Sequence, residues 1–313
     1  MDFLHRKEVL GVIDTLSGRY LQGKVKAIRT AIISLLGEGH LLIEDIPGLG
    51  KTSLALGLSA ALGLDFGRIQ CTGDLLPSDI TGVSIFNRED NQFHFVKGPI
   101  FNHLLLVDEI NRTLPKTQSA LLEAMEERRV TLEGVTYALP EPFMVIATQN
   151  PLDHVGTFPL PESQLDRFLL TTDIGYPPAV LEKQIIRRGS VREDLNRIEP
   201  LLTREQIVET RHFVHDKIEL HEKIAGYIHE LLQHSRDHSA FINGISTRGG
   251  ISLASAARAQ AYLQGRQFVV PEDVQVVALA VISHRLELRP EHDHLDKKEV
   301  LRSLLREIPV PVA

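Results

Sequence analysis

The sequence predicts a three-layer α/β domain that carries two β-hairpins and is followed by a small all-helical domain. Three observations predict it. Short aliphatic runs at residues 41–44, 104–107, 143–148 and 168–173 are apolar on both faces, as strands buried in a parallel sheet are. Amphipathic patterns at residues 52–62 and 116–128 fall between them, and alternation of strand and helix argues for a layered sheet. After Gly175-Tyr176-Pro177-Pro178 only helical patterns remain. The expected division is an α/β domain over residues 1–176 and a helical domain over residues 177–313.

Two stretches break the strand–helix rhythm. In "VSIFNREDNQFHFVKG" a polar turn at residues 88–92 divides alternating residues, and in "VTLEGVTYAL" Glu133-Gly134 does the same. Both read as β-hairpins inserted on the core. In the helical part, Thr203-x-x-Gln206 is a capping box that opens one helix. Ile224, Ile228, Leu231 and Leu232 stripe a second helix. Val270, Val274, Val277, Ala278 and Val281 stripe another that starts at Pro271.

Composition narrows the classes of function. The chain has 313 residues, 43% apolar and 24% charged, with a net charge of −7, so no bulk basic footprint for nucleic acid is present. Cys71 is the single cysteine, which excludes an intrachain disulfide and fits a reducing compartment; as a residue that follows a strand it reads as a packing group. The N-terminal "MDFLHRKEVLGVIDTL" carries acids unlike a secretory signal, and no apolar run reaches the roughly 18 residues of a membrane span. A cytoplasmic protein is expected. Histidines number 14. Those at 212, 215, 221, 229, 234 and 238 read as solvent-facing, and "EHDHLD" at residues 291–296 as a solvated loop in preference to a metal site.

The chemistry concentrates in "HLLIEDIPGLGKTSLALGLSAALG". Gly50-Lys51-Thr52 ends a phosphate-binding loop, but the glycine expected six residues before the lysine is Asp45. Aspartate tolerates left-handed backbone geometry, so such a corner can accept it. Asp45, Ile46, Pro47, Gly48, Leu49, Gly50, Lys51, Thr52 and Ser53 are the candidate ATP-binding residues. Backbone N–H groups at the two glycines would meet phosphate oxygens, Lys51 would reach the β/γ-phosphates, and Thr52 would place its hydroxyl on Mg²⁺. The bland reading is a helix start with a surface lysine. "HLLLVDEIN" then puts Asp108-Glu109 at the carboxyl end of a buried strand, where ligands of parallel sheets bind. Asp108 would hold Mg²⁺ and Glu109 would activate the attacking water; the alternative is a solvated acid pair. Asn150, at the tip of "MVIATQNP", would orient that water, although Asn-Pro alone is an ordinary turn signal.

These segments, with "CTGDLLPSDITGV", "VKGPIFNHLLLVDEINRTLPKTQSALLEAMEE" and "FPLPESQLDRF", resemble the MoxR family of AAA+ ATPases over roughly residues 17–290. The resemblance accepts Asp45 as a family variant. It implies a sheet of strand order 5-1-4-3-2, a helical lid and a ring of identical subunits, a hexamer. It implies that Asn150 is the sensor-1 residue and Arg167 an arginine finger for a neighbour's ATP, where the bland alternative is a local pair with Asp166. It implies that Arg248 is the sensor-2 arginine of its own subunit's ATP, against a mere helix-start decoration. Two segments depart from the family. Thr247-Arg248-Gly249-Gly250 stands where proline-arginine is common, and "YLQGKVKAI" stands where glycine-glutamine precedes acids and borders the adenine. The implied function is ATP-driven, chaperone-like remodelling of protein clients, with von Willebrand factor A domain partners. A nucleic-acid-dependent motor, a chelatase-type subunit and an ATP-gated scaffold with little turnover are the alternatives.

Overall fold

The computed structural model describes residues 3–152, 155–189 and 191–311. Nine strands form among them: β1 (Leu41–Glu44), β2 (Phe66–Gln70), β3 (Gly82–Asn87), β4 (Gln92–Lys97), β5 (Leu104–Asp108), β6 (Arg129–Leu132), β7 (Val135–Ala138), β8 (Met144–Gln149) and β9 (Leu170–Thr172). Five make one parallel sheet in the order β2-β5-β8-β1-β9, which is the expected 5-1-4-3-2 order read from the other edge. The pleat divides the aliphatic runs between two cores. Leu41, Ile43, Leu104, Leu106, Met144 and Ile146 face a cluster that continues into the helical part of the chain. Leu42, Leu105, Val107, Val145 and Ala147 face a second cluster with Leu121, Leu122 and Met125 of the Pro115–Glu127 helix.

The edge strand β2 is absent from the aliphatic runs read in the sequence. Its burial alternates, with Gly67 and Ile69 inside and Arg68 and Gln70 exposed, because an edge strand needs only one covered face. Cys71 follows it directly and is buried in the second cluster, as expected.

Both hairpins form, as sheets separate from the core. The β6–β7 turn has Glu133 and Gly134 at φ 50 and 80, the pair of positive values that a two-residue hairpin turn requires. The β3–β4 hairpin keeps large apolar side chains in solvent, with Phe93 at 68% exposure and Ile85 at 52%. Phe95 of this hairpin stacks on Tyr137 of the other at 4.3 Å between ring centroids, so the two hairpins support one another.

From Ala179 onward the named elements are helices. Thr203 Oγ1 accepts from the Gln206 N–H while the Gln206 side chain accepts from the Thr203 N–H, the capping box read from sequence. The two predicted stripes are buried, save that Val270 is half-covered. Of the six histidines read as solvent-facing, His234 and His238 are half-buried and the others exposed. Two contacts fix how these helices meet the rest. Arg285, 6% exposed, donates Nε to Asp166 Oδ1 at 2.6 Å and Nη2 to the Phe168 carbonyl at 2.7 Å. At the other end, Arg6 Nη2 donates to the Leu263 carbonyl at 2.9 Å, and the Tyr262 hydroxyl donates to the Leu4 carbonyl at 2.6 Å.

Two buried histidines hold the lower end of the sheet. His40 Nδ1 accepts from the Val145 N–H at 3.0 Å and Nε2 donates to the Met125 carbonyl at 3.2 Å. Complete burial pushes its pKa down to about 3, with Arg128 adding to the effect. His284, equally enclosed, donates Nε2 to the Phe168 carbonyl at 2.9 Å, and burial and then Arg285 hold its pKa well below the usual value. Both pKa values are lower in the folded chain than in the unfolded one, so below about pH 6.5 the unfolded chain binds protons that the native chain refuses. Stability is complete above that pH and falls as pH drops, by up to about 1.4 kcal/mol per site per pH unit. Urea midpoints measured at pH 7.5 and pH 5.5 should therefore differ by the equivalent of roughly 2–3 kcal/mol, and equal midpoints would show that neither imidazole is held neutral.

Candidate functional site

The loop between β1 and the Lys51–Ala61 helix builds the site. Gly48 and Gly50 sit at φ 87 and 96, the left-handed region that glycine alone enters at no steric cost. No atom lies within 4 Å of where a Cβ would stand at either, so the backbone there is open to an incoming group. Gly50 is the N-cap of the helix and has no side chain to satisfy the first N–H groups, which leaves them for an anion. Lys51 is 9% exposed, and its ammonium donates to the Asp45 carbonyl. Burial lowers its pKa, while Asp45, Asp108 and Glu109 pull it back up.

Asp45 does not do what its backbone tolerance suggested. It is not among the positive-φ residues. Its carboxylate instead binds three N–H groups: Oδ1 takes Ile46 at 2.9 Å, and Oδ2 takes Ile174 at 2.9 Å and Gly175 at 2.7 Å. The Lys24 ammonium donates to the Ile174 and Gly175 carbonyls from the other side. A glycine at this position would leave those N–H groups without their acceptor. The departure from the glycine pattern is thus a clamp between the loop and the segment that leads out of the sheet.

The acid pair stands where the sequence put it. Asp108 ends β5, 7% exposed, and accepts from Arg68 Nε at 2.8 Å. Glu109 is held at φ 58, a conformation that costs a non-glycine residue roughly 1–3 kcal/mol. Thr148 of β8 holds it, since its Oγ1 accepts the Glu109 N–H at 2.9 Å. The Glu109 carboxylate meets Gln70 Nε2 at 3.2 Å and Arg112 Nη1 at 3.3 Å. Asn150 follows β8, and β8 lies between β1 and β5, so Asn150 sits between the loop and the acid pair. Its Oδ1 accepts from the Leu152 N–H at 3.1 Å. Arg68, Gln70 and Thr148 were not singled out in the sequence; the only signal was their place at strand ends.

A cavity of about 550 Å³ opens beside the loop. Tyr20, Leu21 and Gln22 of the unassigned "YLQGK" segment line it, with Tyr176, Pro177 and Ile185 opposite and the loop itself at one end. Flat apolar walls next to phosphate-directed N–H groups fit a purine nucleotide. The donor set also fits Mg²⁺. Thr52 lines a cleft with Arg68, whose Nε meets Asp108 at 2.8 Å, and a hydroxyl and a carboxylate are the oxygen ligands that Mg²⁺ takes.

The two remaining residues lie elsewhere. Arg167 Nη1 donates to Glu126 Oε2 at 2.8 Å and to the Leu122 carbonyl at 2.7 Å. Arg248 Nη2 donates to Glu126 Oε1 at 2.6 Å. Arg167 does not pair with Asp166, which Arg285 occupies. Both arginines border a cavity of about 260 Å³ with Gly39, His40 and Leu169, residues that enter β1 and β9. That is the amino end of the sheet. The phosphate loop leaves the carboxyl end, and β1, four residues long, alone separates the two by about 13 Å at about 3.3 Å per residue. The lid docks on the entry to β9 and so carries Arg248 to the same side of the sheet as Arg167, not beside the loop of its own chain.

A nucleoside triphosphate is the ligand that would use every group at the carboxyl edge, which places the chain among P-loop ATPases with an AAA+ core and a helical lid. Comparison with known proteins agrees. The ATPase family associated with various cellular activities (AAA) matches residues 40–170, and the AAA lid domain matches residues 233–304. The chain is 42% identical over 296 residues to the Bacillus subtilis protein YeaC, covering 94% of this chain and 92% of that one. It is 36% identical over 307 residues to the Mycobacterium tuberculosis chaperone MoxR1, covering 94% and 80%. A crystal structure of a candidate ATPase from Cytophaga hutchinsonii superimposes with a TM-score of 0.91 at 35% identity, covering 98% of this chain and 96% of that one. The chain belongs to the MoxR family of AAA+ ATPases, and it is an ATP-hydrolysing enzyme.

Three substitutions test the site. Lys51→Ala should weaken ATP binding by about 100-fold or more, since a buried charge-assisted contact is lost; near-normal affinity by calorimetry would refute the phosphate-loop role. Glu109→Gln should bind ATP as the parent does and hydrolyse it about 10²–10⁴-fold more slowly, as loss of a general base predicts. Asp45→Ala should lower the free energy of urea unfolding by about 1–3 kcal/mol, because two hinge N–H groups lose a charged acceptor; an unchanged midpoint would show that the clamp carries no stability.

Proposed function

We propose that the protein hydrolyses ATP with Mg²⁺ as a ring of six copies of itself and uses the cycle to remodel protein clients. One observation carries this reading. The phosphate loop and the Arg167–Arg248 pair stand at opposite ends of the sheet, so a single chain holds half of each of two composite sites. A heterologous contact repeated around a ring joins each loop to the next subunit's arginines. In that arrangement Lys51 and the loop N–H groups bind the phosphates and Thr52 and Asp108 border the metal. Glu109 takes the proton of the attacking water, Asn150 orients it, and Arg167 and Arg248 of the next copy meet charge that develops on the transferred phosphoryl group. Bound Mg²⁺ would neutralise phosphate charge.

The division at residues 176 and 177 belongs to this reading, as core and lid. So does a cytoplasmic site of action, supported by the single buried cysteine. The client side rests on the β3–β4 hairpin, whose exposed Ile85, Phe86 and Phe93 lie outside the nucleotide site. Such a patch suits a protein surface, and von Willebrand factor A domain proteins are the first partners to try, by capture on the Glu109→Gln protein in ATP.

Mixed rings test the composite site. Arg167→Ala keeps a working loop, and Lys51→Ala keeps a working finger; each alone should hydrolyse ATP poorly. With random assembly about a quarter of interfaces in a mixture combine both intact halves, so activity should return. Verified mixed rings that stay as inactive as either parent would sink the proposal that a neighbour completes each site independently, as would full activity in Arg167→Ala alone.

A further inference from the structure

Among the described residues Glu126 is the one carboxylate that both arginines touch, and no motif in the sequence gives it a role. It lies in the last turn of the Pro115–Glu127 helix, with its side chain 34% exposed. Each of its oxygens takes one arginine: Oε2 takes Arg167 Nη1 at 2.8 Å, and Oε1 takes Arg248 Nη2 at 2.6 Å. The two arginines come from different parts of the chain, one from the entry to β9 and one from the first turn of the Thr247–Leu263 lid helix. Like charges at such close quarters repel unless an anion stands between them.

The donor count explains why this contact can persist while the arginines work. A guanidinium has five N–H donors. Arg167 directs Nη1 at Glu126 and at the Leu122 carbonyl, and its Nε is buried without any acceptor. Arg248 directs only Nη2 at Glu126. Among the described residues each arginine is therefore anchored through one nitrogen; Arg167 keeps Nη2, its Nε being enclosed, and Arg248 keeps Nε and Nη1 for a second anion. Asp166, the other acid nearby, is taken by Arg285, so it cannot replace Glu126.

We infer that Glu126 is the positioning residue of the intersubunit site: by holding one nitrogen of Arg167 and one of Arg248, it orients both toward the triphosphate bound by the neighbouring copy. This rests on the ring reading above. Glu126 itself touches no nucleotide and transfers no proton. Alanine at this position removes the anchor of both arginines, and glutamine keeps the reach but has one acceptor oxygen, enough for one of them.

Full-length Glu126→Ala and Glu126→Gln proteins, with thermal melts to confirm folding, provide the test. Glu126→Ala should lower kcat about 10–100-fold, the scale of a misplaced catalytic group. KM for ATP should stay within about twofold, because the phosphate loop is at the other end of the sheet. Glu126→Gln should fall between the parent and the alanine variant. Complementation then places the defect. Glu126→Ala mixed with Lys51→Ala should regain activity, since one supplies the loop and the other the arginines. Glu126→Ala mixed with Arg167→Ala should not, because both lack the same half. Unchanged kcat in Glu126→Ala, a defect confined to KM, or recovery in the mixture with Arg167→Ala overturns the assignment while leaving the ring intact. Failure of Lys51→Ala and Arg167→Ala to complement in verified mixed rings overturns the ring reading and this assignment together.

Discussion

All five strands of the sheet run in one direction, and the placement of every functional group follows from that. A parallel sheet has two chemically different ends, and the loops at each end belong to different stretches of chain. The glycine loop has to follow β1, Asp108-Glu109 has to end β5, and Asn150 has to follow β8, so the order β5-β8-β1 sets the three side by side. The same direction sends whatever precedes β9 to the far end, and Arg167 precedes β9. No adjustment of side chains carries it back across the length of the sheet. The chain thus holds Arg167 and Arg248 at the end of the sheet opposite its own nucleotide loop.

At the near end, charge is distributed with care for what is buried. Lys51 sits among Asp45, Asp108 and Glu109, which offset the cost of enclosing its ammonium. The three acids are not equivalent. Asp108 faces Arg68, Glu109 faces Gln70 and Arg112, and Asp45 gives one carboxylate oxygen to the loop's Ile46 N–H and the other to the Ile174 and Gly175 N–H groups. Asp45 therefore joins two things: its carbonyl accepts from the phosphate-loop lysine, and its carboxylate grips the exit from β9. Any ligand that draws Lys51 off that carbonyl acts on the residue that holds the start of the lid connection.

Much of this was legible because it is local. The four aliphatic runs, both hairpins, the capping box at Thr203 and the loop–acid pair–amide series depend on residues close in sequence, and each appears where its pattern placed it. Strand β2 was not legible as an aliphatic run because half of it faces solvent and reads as polar. The role of Asp45 was misread for a different reason: its acceptor bonds reach residues 174 and 175, and nothing in "EDIPGLGKT" specifies that approach. The family resemblance drew attention to Arg248, yet its location depends on where the lid docks, a tertiary fact. Glu126, in "LLEAMEE", looks like one more acid on a solvated helix face until the two arginines converge on it.

The docking of the lid and the aim of Arg167 are in fact one problem, solved by two adjacent residues. Asp166 points to the lid, where buried Arg285 binds it, and Arg167 points the other way, to Glu126 on the core helix. A single peptide unit links the two, so the lid cannot move off β9 without disturbing the residue next to Arg167. The ion pair that fixes this arrangement is expensive to break, since removing one partner of a buried pair costs about 3–5 kcal/mol. Arg248 rides on the lid and Arg167 on the core, and only the docked lid brings both to one carboxylate. The position of the lid thereby sets whether Arg248 stands beside Arg167 at Glu126. The segment that begins the lid connection is the one Asp45 holds beside the phosphate loop, so the chain is tied to the sheet at both of its ends.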